Sequence, residues 1–415
     1  MPEQLTVAGT TTRGAAPTPP AEVEIGPAAA AWDTFVVRSN PGSYLQMSAW
    51  AEVKAPNGWT PLRFIGTAPR SAAVTAAAGR ASAPAQPRRE SEESGAADED
   101  SFAVAGRETT FGVQLLLRRP RPLQWAFAYA PRGPVFEEWN PTTLEAFTGA
   151  LRPVLDSAGV RASHVRIEPE IEINGPADGD GEFRHALRRC GWRPGTAIQP
   201  ARTRQIDLRA DEEALWGDLR KKWRQYVNKA RRAEVRVVDA SEDRLPEFYS
   251  IYLETAKRAG FIVRTYESYL QVWRAFSKLG MARLLMAEDA TGTGLATLFL
   301  LRVGDRVIEP YGGMTAGGAE TRANYLLKWE AIRTSRARGA VSYDMWGLSH
   351  EGIEHFKTGF GGREIDYVGA WDLVIDPLGR LVFDGGQSLQ DRLGRWQHGI
   401  RKRRGSNAAD PEAAE

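Results

Sequence analysis

The spacing of apolar positions along the chain predicts two successive series of strands and helices. The first series contains a helix, two alternating strands, a second helix and a buried strand, at residues 42–54, 111–119, 123–129, 141–159 and 164–168. The second contains a long helix, two shorter helices, three strands, another helix and a last strand, at residues 211–233, 245–260, 266–279, 282–312, 323–339 and 341–345. Such an alternation of helical and strand spacing favours mixed sheets with helices on their faces.

Low-complexity stretches interrupt this pattern and set the domain limits. Residues 1–30 and 67–108 are rich in small residues and proline. We predict that the first is a disordered tail and the second a disordered insertion in a hairpin loop. We assign residues 31–200 to a first domain and residues 201–367 to a second. We expect residues 405–415 to form a disordered C-terminal tail.

The composition limits the classes of protein that the chain can represent. It is 42% hydrophobic and 26% charged, which is ordinary for a soluble globular protein. The net charge is only +2, so a basic site must be local. The single cysteine, Cys190, excludes a disulfide framework and fits a reducing cytoplasm. Neither a signal peptide nor a run of about 18 apolar residues is evident, so we expect a cytoplasmic protein.

The long helix predicted over residues 211–233 carries such a local basic site. One of its stripes is apolar and forms a core face. The other face holds cations with no acid among them: Arg220, Lys221, Lys222, Arg224, Lys229, Arg231 and Arg232. Like charges at this density repel one another, which favours an anionic partner such as the phosphates of a nucleotide, a lipid pyrophosphate or RNA. A solvated surface face is the alternative, and the pattern leaves both open.

Candidate catalytic residues lie within residues 341–363, where a short strand opens into a glycine-rich loop. Asp344 and Trp346 stand at the strand end, and Phe356 and Lys357 follow side by side. Glycine at such a point lets the backbone approach a ligand closely. An ammonium group in an apolar, glycine-lined cleft can stabilise the oxyanion of an acyl transfer. The alternatives are a solvated surface lysine and a phenylalanine of the core.

The second series has the element order of an N-acyltransferase domain of the GNAT type, but it lacks the usual acyl-donor motif. A CoA-dependent member needs the pattern R/Q-x-x-G-x-G/A before the helix at residue 323, so that bare N–H groups reach the pyrophosphate. Here Gly317 and Gly318 come too early and the pattern is absent. The five histidines show no metal-ligand spacing. We therefore predict neither a metal nor another cofactor.

Six segments together resemble the FemA/FemB/FemX family of aminoacyl-tRNA-dependent peptidoglycan bridge transferases. They are 46–54 (QMSAWAEVK), 129–135 (YAPRGPV), 219–230, 324–329 (NYLLKW), 343–347 (YDMWG) and 356–361 (FKTGFG). The resemblance implies an α/β (α+β) fold of two tandem GNAT-like domains, with mixed sheets and a cleft between the domains. It also implies that residues 368–404 return to complete the first domain.

The same resemblance implies roles for individual residues. Lys54 and Arg224 would hold phosphates of the precursor, and Phe356 and Lys357 would lie at the reaction centre. The cleft would be lined by Tyr311, Asn324, Tyr325, Asp344 and Trp346. Contacts to phosphate or tRNA would come from Lys221, Lys222 and Lys229. No carboxylate base can be assigned. The helical arm of some relatives has no counterpart, and the basic terminal helix predicted at residues 389–404 is a candidate substitute.

The implied reaction moves glycine, alanine or serine from aminoacyl-tRNA to the stem-peptide amine of a peptidoglycan precursor. The acceptor would be lipid II or UDP-MurNAc-pentapeptide, and no cofactor would take part. We expect a monomeric cytoplasmic enzyme that contacts the inner membrane face peripherally. Two alternatives stay open: a CoA-dependent N-acyltransferase of the same fold, and a non-catalytic relative that binds RNA or lipid.

Overall fold

The computed structural model of the chain describes residues 3–7, 21–69, 108–348 and 351–386. The strands are β1 (Glu3–Val7), β2 (Ala21–Ile25), β3 (Thr60–Pro69), β4 (Glu108–Arg118), β5 (Ala126–Ala130), β6 (Val135–Phe136), β7 (Ala162–Ile167), β8 (Arg193–Pro194), β9 (Arg202–Asp207), β10 (Arg236–Ala240), β11 (Ala282–Glu288), β12 (Gly294–Val303), β13 (Arg306–Met314), β14 (Ser342–Asp344), β15 (Arg363–Asp366) and β16 (Trp371–Val374). The helices are α1 (Ala29–Arg38), α2 (Ser48–Lys54), α3 (Pro141–Ser157), α4 (Glu182–Arg189), α5 (Glu212–Asp218), α6 (Lys221–Arg232), α7 (Leu245–Ala259), α8 (Tyr266–Ser277), α9 (Ala316–Thr321), α10 (Ala323–Ala337) and α11 (Glu351–Thr358). They build two mixed sheets with helices on their faces, which confirms the predicted fold class.

The first sheet has the strand order β1-β2-β3-β4-β5-β7-β16-β8, with β6 beside β4. Its neighbours are antiparallel except for β5 and β7, which run parallel. Helix α3 covers this sheet because one stripe of its side chains is apolar and buried. Within that stripe, the ring of Phe147 stacks on Phe64 of β3 at a centroid distance of 5.9 Å.

Two strands come from the N-terminal stretch that the sequence analysis predicted to be disordered. β1 pairs with β2, and β2 pairs with β3 so that Val23 lies opposite Gly66. Val23 is 2% exposed and belongs to the same apolar core as Phe64. Ladder hydrogen bonds and apolar burial offset the entropy of ordering this segment, an effect that local composition does not reveal.

The hairpin of β3 and β4 brackets the predicted insertion. The ladder extends to Pro69 opposite Glu108, so the chain leaves and re-enters the sheet at adjacent points. Residues 70–107 lie outside the described residues. The same holds for the predicted terminal helix at 389–404 and the predicted tail at 405–415.

The chain returns to the first sheet after the second sheet is complete. β16 pairs antiparallel with β7, with Trp371 opposite Ile167, and its other edge pairs with β8. Residues 377–386 then form a helical stretch. In it, the ring of Phe383 lies 5.6 Å from that of Phe127 on β5. The C-terminal part of the described chain therefore packs on the first sheet.

The second sheet has the order β10-β11-β12-β13-β14-β9-β15. β13 and β14 run parallel and pair from Arg306 opposite Ser342 to Ile308 opposite Asp344. Beyond this point β13 continues to Met314 as a partner of β12, and within the described residues it has no further pairing with β14. A gap therefore opens between two strands that are neighbours at their start.

Alternate side chains of the second sheet point to two faces that carry different helices. Leu298 and Leu300 of β12 pack in a core with α6 and α10, and we call this side the α10 face. Phe299 and Leu301 pack in a core with α2, α7 and α8, and we call this side the α8 face. Since α2 belongs to the first half of the chain, the two halves meet on the α8 face.

The long helix predicted over residues 211–233 is in fact two helices, α5 and α6. Leu219 and Arg220 between them are extended, with ψ angles of 134° and 140°. Leu219 is buried, and the N–H of Arg220 donates to the carbonyl oxygen of Gly359 at 2.9 Å. Helix propensity alone predicts no break here. A tertiary contact therefore ends α5 and starts α6 beside the glycine-rich loop.

Candidate active site

A lysine occupies the gap between β13 and β14. Lys357, in the last turn of α11, extends its ammonium group to the residues that follow β14. It donates to the carbonyl oxygens of Met345 at 2.6 Å, Gly347 at 2.7 Å and Trp346 at 3.2 Å. Three acceptors match the three N–H bonds of an ammonium group. Lys357 therefore anchors the chain at the point where the sheet opens.

The surroundings of Lys357 weaken its hold on the proton. Burial lowers the pKa of Lys357 to about 8, and repulsion from Lys328 acts in the same direction. The carboxylates of Glu309 and Asp344 oppose this effect in part. The ammonium group is therefore charged at neutral pH and titrates within a range that activity measurements can reach.

The middle residue of the anchored turn has an unusual backbone. Trp346 has a φ angle of +59°, in the left-handed region that favours glycine. Its N–H donates to a carboxylate oxygen of Asp344 at 2.7 Å, and its carbonyl oxygen accepts from Lys357. Two charged side chains thus hold a strained turn. The indole lies on the α8 face, 5.7 Å from the ring of Tyr44.

Asp344 supports this turn and does not face open space. Its side chain is buried and also accepts hydrogen bonds from Thr203 and Arg306. Burial alone would raise the pKa of Asp344, but the charge of Arg306 and the hydrogen bonds outweigh it and hold the pKa below its usual value. The family resemblance implied that Asp344 lines the cleft. The contacts give its carboxylate a supporting position behind Trp346.

Arg306 extends this charge network from the second sheet to the first. Its guanidinium group donates to Glu170 at 2.5 Å, and Glu170 also lies 3.3 Å from the guanidinium group of Arg132. All three side chains are buried. Arg132 in turn stacks over the rings of Trp346 and Tyr367, at 5.1 and 4.5 Å. The network fixes Trp346 relative to both sheets.

The glycines of the loop after Lys357 serve packing within the chain. A Cβ atom on Gly359 would lie 2.3 Å from the ring of Trp223, and one on Gly362 would lie 2.3 Å from the carbonyl oxygen of Gln205. Gly362 also has a φ angle of +68°. From the sequence alone, these glycines predict a close approach of the backbone to a ligand. The approach is instead to α6 and β9, and it is what brings Phe356 and Lys357 to the gap.

A second cluster of cations lies on the α8 face around Lys54. The ammonium group of Lys54 lies 4.9 Å from the centroid of Trp50, and the guanidinium group of Arg264 lies 5.9 Å from the same ring. Arg118 stacks over Trp59 at 5.5 Å. Burial lowers the pKa of Lys54 to about 8, and repulsion from Arg264 and Arg118 adds to this. Within the described residues, none of the three cations has a carboxylate in ion-pair distance.

Arg264 and Arg118 were missed by the sequence analysis, which paired Lys54 with Arg224. Arg224 is elsewhere, on α6 and the α10 face. Its guanidinium group donates to the carbonyl oxygens of Gly217 at 2.6 Å and Leu219 at 2.9 Å, and so satisfies the end of α5. Its position follows from the helix break. Arg264 lies in the loop between α7 and α8, where no periodic pattern could have marked it.

Aromatic rings connect α6 to Phe356 on the α10 face. The ring of Tyr325 lies 4.8 Å from that of Tyr226 and 5.1 Å from that of Phe356. Arg322 and Lys222 stack over Tyr226 at 4.7 and 5.7 Å. These rings form a continuous apolar path from the surface of α6 to Phe356.

Some polar groups along this path can still form hydrogen bonds to a ligand. The side-chain oxygen of Asn324 and the Nε–H of Arg322 are buried and find no hydrogen-bond partner in the part of the chain that the structure describes. Lys221, Lys222 and Lys229 are exposed on the outer side of α6 and, among the described residues, form no ion pair. Only part of the predicted basic face is therefore free for a partner, because Arg231 forms an ion pair with Glu330 and Arg224 binds carbonyl groups at the end of α5.

Tyr311 completes the assignment of the predicted site residues. It lies on the α8 face, 5.1 Å from the ring of Tyr269 and 6.1 Å from that of Tyr252. The predicted residues therefore divide into two groups on opposite faces of the second sheet. Lys54, Tyr311 and Trp346 lie on the α8 face. The α10 face carries Asn324, Tyr325, Phe356, Lys221, Lys222 and Lys229. Lys357 lies at the gap that separates the groups.

No helix among the described residues is long and apolar enough to cross a membrane.

Comparisons with known proteins match most of the chain. The model of the FemAB family matches residues 28–288 and 277–381. The lipid II:glycine glycyltransferase of Staphylococcus saprophyticus is 23% identical, over 85% of this chain and 93% of the relative. The enzymes of the same name from Staphylococcus aureus (strain MRSA252) and Staphylococcus epidermidis are 23% and 20% identical, over 84% of this chain and 92% of each relative.

Among solved structures, the crystal structure of FemX has a similar fold. It superposes with a TM-score of 0.68 at 18% sequence identity, and the match covers 86% of this chain and 98% of that one. The similarity extends over both sheets, because the matched share exceeds either half of the chain.

Proposed function

The chain belongs to the FemAB family, and on that premise we propose that it transfers an aminoacyl group from aminoacyl-tRNA to the stem-peptide amine of a peptidoglycan precursor. The relatives from Staphylococcus are named for transfer of glycine to lipid II. The observation that carries the proposal for this chain is the two-sided site. Two cationic surfaces with aromatic rings lie on opposite faces of one sheet, and they meet at Lys357.

The α8 face is the proposed acceptor side. Lys54 and Arg264 lie against the indole of Trp50 and Arg118 against that of Trp59, and no carboxylate among the described residues forms an ion pair with any of these three cations. Such a group suits the phosphates of a lipid-linked or nucleotide-linked precursor. Burial and repulsion from Arg264 and Arg118 lower the pKa of Lys54 to about 8, and a bound phosphate would oppose both effects by favouring the charged amine. The stem peptide would extend from there past Tyr44 and Trp346 to the gap.

The α10 face is the proposed donor side. Lys221, Lys222 and Lys229 lie exposed on α6 and can contact RNA phosphates. The rings of Tyr226 and Tyr325 provide surfaces on which unpaired bases stack. The path ends at Phe356, beside Lys357. An aminoacyl ester at the 3′ end of a tRNA would thus reach the gap from the side opposite to the acceptor.

The chemistry needs little beyond positioning. The neutral amine of the stem peptide attacks the ester carbonyl, the C–N bond forms, and the C–O bond to the ribose breaks. The ribose oxygen leaves with a proton that originates from the attacking amine, so protons and electrons balance without a cofactor. An aminoacyl ester is already activated, so alignment and oxyanion stabilisation supply the rate. Lys357 would turn one N–H from a backbone carbonyl to the tetrahedral oxyanion.

Packing around α9 counts against the alternative of a CoA-dependent acyltransferase. A Cβ atom on Gly318 would lie 2.1 Å from the carbonyl oxygen of Leu295. The lack of a side chain at Gly318 therefore allows α9 to pack closely against β12. The side chain of Thr315 accepts from the N–H of Gly318 and caps the helix. The segment that precedes α10 is therefore engaged with its own neighbours and does not offer a row of free N–H groups to a pyrophosphate.

We further propose a cytoplasmic monomer that works at the inner membrane face when its acceptor is lipid-linked. The test is a reconstituted transfer reaction with the full chain. Glycyl-, alanyl- and seryl-tRNA are offered in turn, with lipid II or UDP-MurNAc-pentapeptide as acceptor. Mass spectrometry should reveal a stem peptide extended by one of these residues, and ribonuclease should abolish the product. Turnover supported by acetyl-CoA and indifferent to ribonuclease would refute the proposal.

A further inference from the structure

A second lysine is buried beneath the reaction centre. Lys328 of α10 is 2% exposed, and its ammonium group forms an ion pair with a carboxylate oxygen of Glu309 on β13. The other oxygen of Glu309 accepts from the hydroxyl group of Tyr343 on β14 at 2.6 Å. Glu309 and Tyr343 are 7% and 0% exposed. The proposed reaction described above uses none of these three groups.

The position of this triad is specific to the gap. The last pair between the two strands is Ile308 opposite Asp344. Glu309 is the next residue of β13, and Tyr343 is the residue of β14 just before that pair. The triad therefore lies where the two strands separate, on the α10 face. The ammonium group of Lys328 is 5.9 Å from the centroid of Phe356, at a distance that permits a cation–π contact. It is also close enough to Lys357 to oppose its protonation.

Stability alone does not account for this arrangement. Burial of an ion pair has a desolvation cost that apolar side chains of equal volume avoid, so such a pair is weak evidence for a stabilising role. The chain contains only nine lysines among 54 basic residues. Lys328 and Lys357 both direct their ammonium groups into the same gap, which concentrates positive charge at the reaction centre.

We propose that Lys328, fixed by Glu309 and Tyr343, is a positioning residue that holds Phe356 and keeps a second positive charge beside Lys357. The role of Lys328 in aminoacyl transfer rests on the proposed function. The effect of Lys328 on the protonation of Lys357 does not rest on it, because this effect depends only on the contacts within the gap. Lys328 touches no reacting atom in this assignment and acts through Phe356 and Lys357.

The charges that face Lys357 come from three elements. Lys328 of α10 repels the protonated form, whereas Glu309 of β13 and Asp344 of β14 favour it. The charge of Asp344 is matched by Arg306. On α11 itself, His355 is directed outward, with its ring nitrogen 3.4 Å from Arg220. Removal of Lys328 should therefore make Lys357 a weaker acid, and removal of Glu309 should make it a stronger one.

The direct test is NMR titration of the full chain labelled with 13C at the ε carbon of lysine, without any substrate. Nine lysines give a small set of signals, and Lys357→Arg assigns the signal of interest. In Lys328→Met the titration midpoint of Lys357 should rise by about one pH unit, and in Glu309→Gln it should fall. Lys278→Met removes an exposed lysine directly after α8 and should leave the midpoint unchanged.

A double variant keeps the test valid if the single variants misfold. Lys328→Met/Glu309→Gln removes both members of the ion pair, so neither is left without its partner, and the variant should fold like the parent chain. The double variant loses one charge that lowers the pKa of Lys357 and one that raises it, so its midpoint should lie below that of Lys328→Met. A midpoint that stays at the parent value in both variants overturns the proposal.

Transfer kinetics separate this proposal from the proposed function. In Lys328→Met the alkaline limb of the pH–rate profile should move to higher pH. Lys328→Arg keeps the positive charge and should therefore restore the limb of the parent chain. A purely structural role of Lys328 would lower the rate at every pH and leave the limb in place. If the NMR midpoint moves and no aminoacyl donor supports transfer, the proposed function fails and the electrostatic coupling stands.

Discussion

Arg306 of the second sheet donates at 2.5 Å to Glu170, which follows strand β7 of the first sheet, and the same guanidinium group binds Asp344. The contact lies directly behind the strand end from which Trp346 turns. All three side chains are buried. Because the charges alternate, loss of one member leaves its neighbours unpaired inside the protein, and this has measurable consequences.

Replacement of the central arginine should strongly destabilise the fold. We expect Arg306→Met to lower the free energy of unfolding by about 3–5 kcal/mol, because Glu170 and Asp344 lose their common partner. Urea denaturation followed by circular dichroism measures this change. Arg209→Met is the matched control, since Arg209 pairs with Asp207 on the surface and its loss should leave the unfolding midpoint in place. Equal losses of unfolding free energy in Arg306→Met and Arg209→Met would contradict the stabilising role of the buried network.

The same network predicts a loss of stability in acid. The pKa of Asp344 is lower in the folded chain than in the unfolded chain, so its contribution is complete above the ordinary aspartate pKa of about 4. It should be lost as the pH falls through the folded value. In Asp344→Asn, stability at pH 7 should be lower, and its decline between pH 5 and pH 3 should be shallower. A decline as steep as that of the parent chain would assign the acid sensitivity to other groups.

Lys357 should control the rate of transfer and its alkaline limit. We expect Lys357→Met to lower kcat by about 10²–10³-fold with a smaller change in KM, as for loss of one oxyanion donor. In the parent enzyme, activity should decline as the pH rises past about 8, because the neutral amine lacks the charge and one N–H. The variant should lack this limb. Lys278→Met serves as the control, and a limb that persists in Lys357→Met would exclude Lys357 as its source.

The acceptor side should depend on Arg264 and not on Arg224. Arg264→Met and Lys54→Met should each raise KM for the phosphate-bearing acceptor by about 10–100-fold, the worth of a charged hydrogen bond. KM for the aminoacyl donor should stay constant. Arg224→Met should spare both constants and lower thermal stability, since it frees the carbonyl groups at the end of α5. Steady-state kinetics with each substrate varied in turn will decide between the two arginines.

The donor side should respond to charge and to stacking surfaces on α6. We expect Tyr226→Ala to weaken binding of tRNA by about 5–100-fold, in line with loss of one stacked base. Lys221→Glu/Lys222→Glu should weaken it further and reduce the dependence on salt. Fluorescence anisotropy with a labelled acceptor-stem RNA reports binding without transfer. Lys257→Glu changes an exposed lysine on α7 and should have no effect; a similar loss there would indicate unspecific attraction.

The periodic pattern of apolar positions was sufficient to predict two mixed sheets and to place Lys357 near a strand end. It could not predict the break at Leu219 and Arg220, because the local sequence favours a continuous helix and the cause is the distant carbonyl group of Gly359. The N-terminal strands were missed for a related reason. β2 is stabilised by pairing with β3 and β1 by pairing with β2, which low-complexity composition does not reveal.

The candidate site could be predicted where its residues lie close together in the sequence. Phe356 and Lys357 are adjacent and follow a recognisable strand end. Arg264 lies in a loop far from Lys54 in sequence, and only the fold brings them to the same indole ring. The glycines were noticed but misinterpreted, since their tight neighbours, Trp223 and Gln205, come from remote segments.

The end of the β3–β4 ladder has a practical consequence. Pro69 faces Glu108 across the hairpin, so the intervening segment starts and finishes one strand spacing apart. Such a junction accepts changes in length at small entropic cost. A fluorophore or an affinity handle placed between these two residues would be carried by the first sheet alone, and titrations of acceptor and donor could be followed without a label on either face of the second sheet.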